Sequence, residues 1–274
     1  MTFTVSPAPP SRVLDVFAAL YGTPAGDLGW LEAELRAAWV ALDESGEALG
    51  ALGARPSPAH GMELMGGSLD GEHGEAVAQA LVEAARADLG RVYAFADGLM
   101  LPAGALSGAG LREVAAYRML AGPTPTAAAP GPEGVTLRRL SDVPDLATRL
   151  DALGTYEDRI GHHAVAAAAA EEGAGGFDSA LSLIAVDAEG RAAGLCRAAR
   201  EDGYLRIDAP GVRPDMRGSG LRAALLLGVC ALAREAGFTD VSVESWGDTP
   251  EELAADLGLG LGVELENPIY AAGG

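Results

Sequence analysis

A chain of 274 residues, 49% apolar and only 5% aromatic, has material for a sizeable core built from Ala, Leu and Val rather than from rings. The length suits one large domain or two ordinary ones. The formal charge is -20 and all 19 basic residues are arginine; such a surface repels phosphate backbones and anionic bilayers, which argues against nucleic-acid or membrane partners.

No segment approaches the ~20 apolar residues that cross a bilayer. The opening MTFTVSPAPPSR lacks the basic start and apolar run of a secretion signal. A cytoplasmic location is the expectation. Cys196 and Cys230 show neither metal-ligand spacing nor a disulfide framework. They read as buried, inert thiols, and no metal is expected.

In chain order, Arg36–Pro56 reads as a hairpin turning at Ser45-Gly46, and His60–Asp70 as a strand. Gly71–Gly90 is a helix with Gln79, Glu83 and Arg86 on one polar stripe. Arg91–Gly98 and Leu111–Gly122 are further strands. The run AGPTPTAAAPGPEG, Ala121–Gly134, holds four prolines and three glycines and cannot sustain a regular element, so it reads as a linker.

Beyond it a similar order returns. Gly134–Leu140 is a strand, Ser141–Gly154 a helix capped by Ser141, and His162–Gly175 an alanine-rich helix. Leu181–Asp202 makes two strands joined at Glu189-Gly190, Tyr204–Pro214 is a strand, and a long apolar helix runs from Gly218 to Ala236. Strand Asp240–Gly247, capped helix Thr249–Gly258 and strand Val263–Tyr270 complete the half. The repeated order indicates a diverged duplication in an α/β fold of mixed sheets flanked by helices. The expected domains are 1–121 and 135–274, with 122–134 as linker.

Chemistry concentrates where the second half enters its long helix, at VRPDMRGSGLRAALLLG, Val212–Gly228. A helix N-terminus presents unpaired N–H groups and partial positive charge. Gly218 and Gly220 clear side chains from those groups, and Arg213, Arg217 and Arg222 surround the turn against Asp215 alone. A bound phosphate or pyrophosphate is expected. The turn has neither the Lys-Ser/Thr pair of a P-loop nor the G-x-G-x-x-G of a dinucleotide fold. The corresponding first-half turn carries Asp70, Glu72 and Glu75, and carboxylates repel a pyrophosphate.

Val212-x-Pro214 followed by Arg217-Gly218-Ser219-Gly220-Leu221 resembles the cofactor turn of the GNAT family of acyl-CoA-dependent N-acyltransferases. The resemblance is good over residues 204–238 and weak elsewhere. It implies two tandem GNAT-like domains, each with a mixed, mostly antiparallel sheet, and a first half serving as scaffold. It implies that Val212, Arg213, Arg217, Gly218, Ser219, Gly220, Leu221 and Arg222 hold acetyl-CoA, with Val212 bonding the pantetheine arm.

The sequence departs from the family at Arg222, which stands in place of a small residue, and at Ala254, which stands in place of the tyrosine acid. N-acyl transfer needs a proton acceptor near the thioester. Asp208 and Glu244, on the strands that diverge there in the family, are the catalytic candidates. A bulge or an edge is expected at Pro210-Gly211, where proline removes a ladder donor and glycine loosens the strand; the alternative is an ordinary strand end. By the same resemblance Tyr156 and His162 lie in the segment that walls the acceptor pocket, and Trp246 and Asp248 end the second strand. A neutral histidine there accepts a proton near pH 7, although a place on a helix surface is the plainer reading.

The leading expectation is an acetyl-CoA-dependent N-acetyltransferase for a small-molecule primary amine, monomeric or homodimeric. The acidic charge favours a cationic acceptor such as a polyamine or amino sugar. The alternatives are an acyl-CoA-binding module without turnover and a protein-interaction scaffold.

Overall fold

The computed structural model describes residues 2–69 and 71–273, so Asp70 lies outside the described residues. The chain forms two compact units, Met1–Tyr117 with Asn267–Gly274, and Arg118–Glu266. The first unit contains β1 (Phe3–Ala8), α1 (Pro10–Tyr21), α2 (Gly29–Glu34), β2 (Ala37–Asp43), β3 (Ala48–Ser57) and β4 (Gly61–Ser68). It continues through α3 (Gly74–Leu89), β5 (Val92–Phe95) and α4 (Ala103–Gly108) into β6 (Arg112–Pro123), whose end belongs to the second unit. The elements β1, α1, α2 and α4 have no counterpart in the sequence reading.

Strands β1 to β5 lie in chain order, antiparallel except for the parallel pair β4–β5. The β2–β3 turn forms as expected: the Asp43 carboxylate accepts from the amides of Ser45 and Glu47, with Gly46 at φ 89. On one side Trp39, Leu52, Leu64, Leu81 and Val92 form a core; on the other Val13, Phe17, Leu31 and Leu35 do so. The buried positions of α3, Val77, Ala78, Leu81, Val82 and Ala85, recur at helical spacing and dock on the first of these cores.

The second unit adds β7 (Val135–Arg139), α5 (Leu146–Leu153), β8 (Leu183–Asp187), β9 (Ala192–Cys196), β10 (Ala198–Arg200), β11 (Leu205–Asp208) and β12 (Gly211–Val212). Then come α6 (Leu221–Glu235), β13 (Asp240–Trp246), α7 (Pro250–Gly258) and β14 (Gly262–Ala272). Strands run β12-β9-β8-β7 in one sheet and β13-β11-β10 in another. Helix α6 buries Leu221, Leu225, Leu226, Val229 and Cys230 in one cluster with Ala185, Ala193 and Val212. The end of β14 returns to the first unit, where Ile269–Ala272 pair with β5. The stretch 124–134 is free of helix and strand, yet it is tied down: Thr124 N–H donates to Thr239 O at 2.7 Å, and Arg234 donates to the carbonyl of Pro125.

Two expectations are corrected. Ser141 caps no α-helix; Pro144 disfavours helical backbone in the residue before it, and α5 starts at Leu146 under Asp145, whose carboxylate accepts from Thr148 N–H at 2.9 Å. The alanine-rich 162–175 is not an α-helix, and only short 3-10 turns form at Ala167–Ala170 and Ala174–Gly176. Short alanine runs without an apolar face are marginal helices. Here other partners take the backbone: Glu157 accepts from Val165 N–H at 2.9 Å, and Arg149 donates to Ala170 O at 3.4 Å.

The parallel pair of the first unit is closed at its far end. Strand β4 keeps one unbroken register with β3 from Ser57↔Gly61 to Gly50↔Ser68, and Ser68 N–H donates to Met100 O at 3.1 Å. The loop that supplies Met100 is held by Asp97, which accepts from the amides of Leu99, Met100 and Leu101. Gly67 makes this approach possible; at φ +145 a Cβ there would stand 2.1 Å from Met100 O. Gly67→Ala is therefore expected to cost about 2 kcal/mol, whereas Gly71→Ala, with nothing within 4 Å of its Cβ, leaves stability unchanged. Thermal melts of the two variants check the contrast.

Candidate active site

The second unit differs from the first at the corresponding strand. Leu205, Arg206 and Ile207 face Arg200, Ala199 and Ala198, whereas Gly211 and Val212 face Leu195 and Gly194. Between these pairs three residues, Asp208, Ala209 and Pro210, oppose two, Cys196 and Arg197, so one residue is extra. This is a β-bulge, and the expectation at Pro210-Gly211 is met. Its consequence is a change of phase. Asp208 N–H donates to Arg197 O and Ala209 N–H to Glu244 O at 2.8 Å, but Arg213 N–H donates back to Ala193 O at 2.9 Å. Val212 N–H therefore points away from β9, toward the side that β13 has left: the β11–β13 register ends at Asp208↔Glu244.

From Val212 the chain enters a 3-10 turn, Pro214–Met216, and then Gly218 (φ 76), Ser219 and Gly220 (φ 89) before α6 begins. Both glycines have left-handed backbone, and a Cβ at either would meet nothing within 4 Å, so the space over the turn is open. The arginines are engaged elsewhere. Arg213 pairs with Asp187 at 3.0 Å and Asp215 at 2.6 Å. Arg217 donates to Val212 O at 3.3 Å and forms an ion pair with Asp158. The attraction for an anion thus comes first from backbone N–H groups and the helix end.

At the mouth of the divergence Asp208 and Glu244 lie side by side. Asp208 is 3% exposed and accepts from Arg197 Nη2 at 2.7 Å and Nε at 3.0 Å. Arg206 bridges the two carboxylates, 3.3 Å from Glu244 and 3.9 Å from Asp208. Burial pushes the Asp208 carboxyl above the ordinary range, an effect that Arg197 partly offsets. Around them stand rings: His162 stacks on Tyr156 at 5.2 Å and meets the edge of Trp246 at 5.1 Å, and the Arg197 guanidinium lies 3.9 Å over Phe177. Tyr156 donates to Leu195 O at 3.0 Å, and burial holds its phenol protonated far above the usual value.

Against solved structures, 98% of this chain is similar to a GCN5-related N-acetyltransferase from Sphaerobacter thermophilus, covering 95% of that chain at 19% identity and a TM-score of 0.58. A tandem GNAT protein from the clavulanic acid biosynthesis pathway is similar over 99% of this chain and 98% of its own, at 16% identity and a TM-score of 0.50. A conserved protein from Enterococcus faecalis, described as a probable N-acyltransferase, gives a TM-score of 0.64 at 12% identity over 99% of this chain and 72% of that one. No family model and no curated protein matches the sequence. The chain has the tandem GNAT fold.

On that fold Asp208, Glu244, Tyr156, His162 and Trp246 come together. Asp248 and Arg222 do not join them. Arg222 turns into a buried network, bound by Asp256 at 2.7 Å through both terminal nitrogens and near Asp248 at 3.5 Å and Glu252 at 3.6 Å. Burial works against its charge, but Asp256, Asp248 and Glu252 outweigh that and raise its pKa. Arg159 enters from the other side, bonded to Glu252 at 2.7 Å and paired with Asp248 at 3.7 Å. Burial raises Asp248 despite both arginines. Glu252 also closes the capping box of α7 with Thr249, and although burial pushes it up, Arg159, the Thr249 amide and Arg222 bring it to about 2.

Sequence reasoning missed Arg197, Phe177, Arg159 and Asp256. Arg197 had one signal, its place directly opposite the bulge; the others are joined to the site only through space. Ala254 lies on α7, and its methyl group offers no proton.

Two outcomes follow. Arg222→Ala leaves Asp256 and Asp248 buried without their main counter-charge and should cost ~3 kcal/mol in urea unfolding. His162 is held down to about 4, by burial first and then by Arg197, His163 and Arg159. Unfolded histidine takes up its proton near 6.5, so this term is fully favourable above that pH. It is lost as pH falls toward 4, by an amount on the order of 3 kcal/mol. The His162→Phe variant should lose less stability across that window than the parent, as read from thermal midpoints.

Proposed function

We propose that the second unit is an acetyl-CoA-dependent N-acetyltransferase acting on the primary amine of a small molecule, and that the first unit is structural. The observation that carries this reading is the bulge, which aims Val212 N–H into a gap between diverging strands beside an open glycine turn. In the first unit β4 carries no bulge against β3, and Met100 already satisfies the equivalent Ser68 N–H. The solved relatives are called N-acetyltransferases or a probable N-acyltransferase, which supports the same chemistry.

In this reading the amides of Gly218, Ser219, Gly220 and Leu221 hold the pyrophosphate, Arg217 moves from Asp158 to assist, and Val212 N–H meets the pantetheine arm. Acyl-CoA, when bound, supplies a thioester whose carbon takes the amine nitrogen as the carbon–sulfur bond breaks and CoA leaves as thiolate. Asp208 accepts the amine proton, its raised pKa bringing it closer to the working pH. Arg197 and Arg206 fix its orientation. Glu244, less buried and bridged by Arg206, attracts the cationic form of the amine before the proton leaves. Tyr156, His162 and Trp246 wall the acceptor, and the protein works as monomer or homodimer in the cytoplasm.

A second reading, an acyl-CoA-binding module without turnover, is favoured by one observation: Ala254 provides no acid for the leaving thiolate. Calorimetric titration with acetyl-CoA should give one site per chain, and free thiol should appear only when an amine is added. Gly220→Glu should abolish binding and Glu72→Ala should not alter it. Asp208→Asn should lower kcat by ~100-fold or more with acetyl-CoA affinity within about twofold. Binding without thiol release, across a broad amine panel, would support the second reading. Two sites per chain would return the first unit to consideration.

A further inference from the structure

Two stretches of chain bring together the rings around Asp208 and Glu244. Tyr156 and His162 come from the turns after α5, and Trp246 ends β13. Residues 157–166 contain neither helix nor strand, so no helix or sheet ladder fixes His162 against Trp246.

Arg159 joins the two stretches. Its N–H donates to Tyr156 O at 2.9 Å, and its carbonyl accepts from His162 N–H at 3.2 Å. The backbone of one residue thus carries both stacked rings. Its side chain crosses to the other stretch: Nη1 donates to Gly247 O at 3.3 Å and to Glu252 Oε2 at 2.9 Å, and Nη2 donates to Glu252 Oε1 at 2.7 Å. Two parallel bonds to one carboxylate fix direction as well as distance. Gly247 directly follows Trp246, so a single guanidinium ties the backbone that carries His162 to the backbone beside Trp246. The side chain is 15% exposed, and its bonds to Glu252 outweigh the burial that opposes its charge.

The neighbouring ties hold other things. The Tyr156 hydroxyl is anchored at Leu195 O, and Glu157 accepts from Val165 N–H within its own segment. Asp158 pairs with Arg217 at the surface, where such pairs hold weakly. Arg222 grips both oxygens of Asp256 without help from Arg159, so the start of α6 has its own support.

Building on the proposed N-acetyltransferase activity, we propose that Arg159 is a positioning residue for the acceptor: it holds His162 against Trp246 and thereby sets the shape of the wall that the amine meets. It touches neither the amine nor acetyl-CoA. Its loss lets the turn that carries His162 swing away from β13, while the glycine turn and Val212 keep their places.

The test uses the full chain. In the parent, the His162 imidazole is held down to about 4 by burial and then by Arg197, His163 and Arg159, with Asp158 acting the other way; Tyr156 and Trp246 cover the ring. NMR reads this ring without ligand or turnover, its signal being the one absent from His162→Phe. In Arg159→Ala the nuclear Overhauser contact between His162 and Trp246 should disappear, and the imidazole should titrate closer to its ordinary value of about 6.5. Steady-state rates are then taken with spermidine, glucosamine and phenethylamine, using whichever reacts fastest. Arg159→Ala should raise the KM of that amine about tenfold with kcat changed less than about threefold. Acetyl-CoA affinity, read by calorimetry, should stay within about twofold. Arg159→Lys keeps the charge but not the two-point grip and should fall between parent and alanine variant. Should Arg159→Ala not fold, Arg159→Met combined with Glu252→Gln removes both charges together and is read in the same way.

A His162–Trp246 contact that survives in Arg159→Ala would overturn the proposal. So would an unchanged amine KM, or an acetyl-CoA affinity that falls in step with it, which would make Arg159 a support of the whole unit. Failure of the parent to bind acetyl-CoA would instead strike the activity itself; loss of the ring contact in Arg159→Ala would still support the hold on His162.

Discussion

One extra residue in one strand divides the second unit. Without it, β11 and β12 would run as a single strand in one unbroken register, as β4 does against β3. With Ala209 and Pro210 bulged, the hydrogen-bonding phase slips by one and Val212 N–H is turned toward the space that β13 leaves. Pro210 removes the donor that would compete for this arrangement. Asp208 and Glu244 form the last pair before this break, and the glycine turn follows it.

The comparison inside the chain shows what the bulge does. The first unit pairs β4 with β5 in the same parallel sense, yet its register with β3 runs on without a slip. Seven residues, Ala96–Pro102, separate β5 from α4, whereas three, Gly247–Thr249, separate β13 from α7. The longer connection folds back far enough for Met100 to cap Ser68. A duplicated fold thus has one cleft closed by its own backbone and one left open.

Much of this was legible in residues close together in the chain. The Ser45-Gly46 turn, the Thr249–Glu252 capping box and the glycine turn before α6 each rest on contacts within a few residues, where local chemistry dominates, and the bulge was signalled by Pro210 itself, which cannot donate to a ladder. The alanine-rich stretch misled, because helix propensity alone is weak beside the pull of Arg149 and Glu157 on its backbone. The role of Arg222 was illegible for another reason. Its partner Asp256 lies 34 positions away on α7, and neither residue signals the other. The return of Ile269–Ala272 to β5 depends equally on tertiary placement.

The charge at the glycine turn asks for a different account from the one its composition suggests. Three arginines near a helix start imply a strongly positive seat, but Arg213 is neutralised by Asp187 and Asp215, Arg217 by Asp158, and Arg222 by Asp256. What remains for an anion is the fixed partial charge of the backbone, which costs nothing to reorganise, plus whichever arginine can exchange a carboxylate for a phosphate. Of the three, Arg217 is the most exposed, at 42%, and has a partner exposed to 38%. Surface ion pairs of this kind contribute little to stability, so exchange there costs little. Arg222 is in the opposite position, since removing its guanidinium from Asp256 would strand a carboxylate that is 1% exposed. The same residue type therefore does two jobs across five positions: Arg217 is free enough to follow a ligand, and Arg222 is buried firmly enough to hold α6 against α7 beneath it.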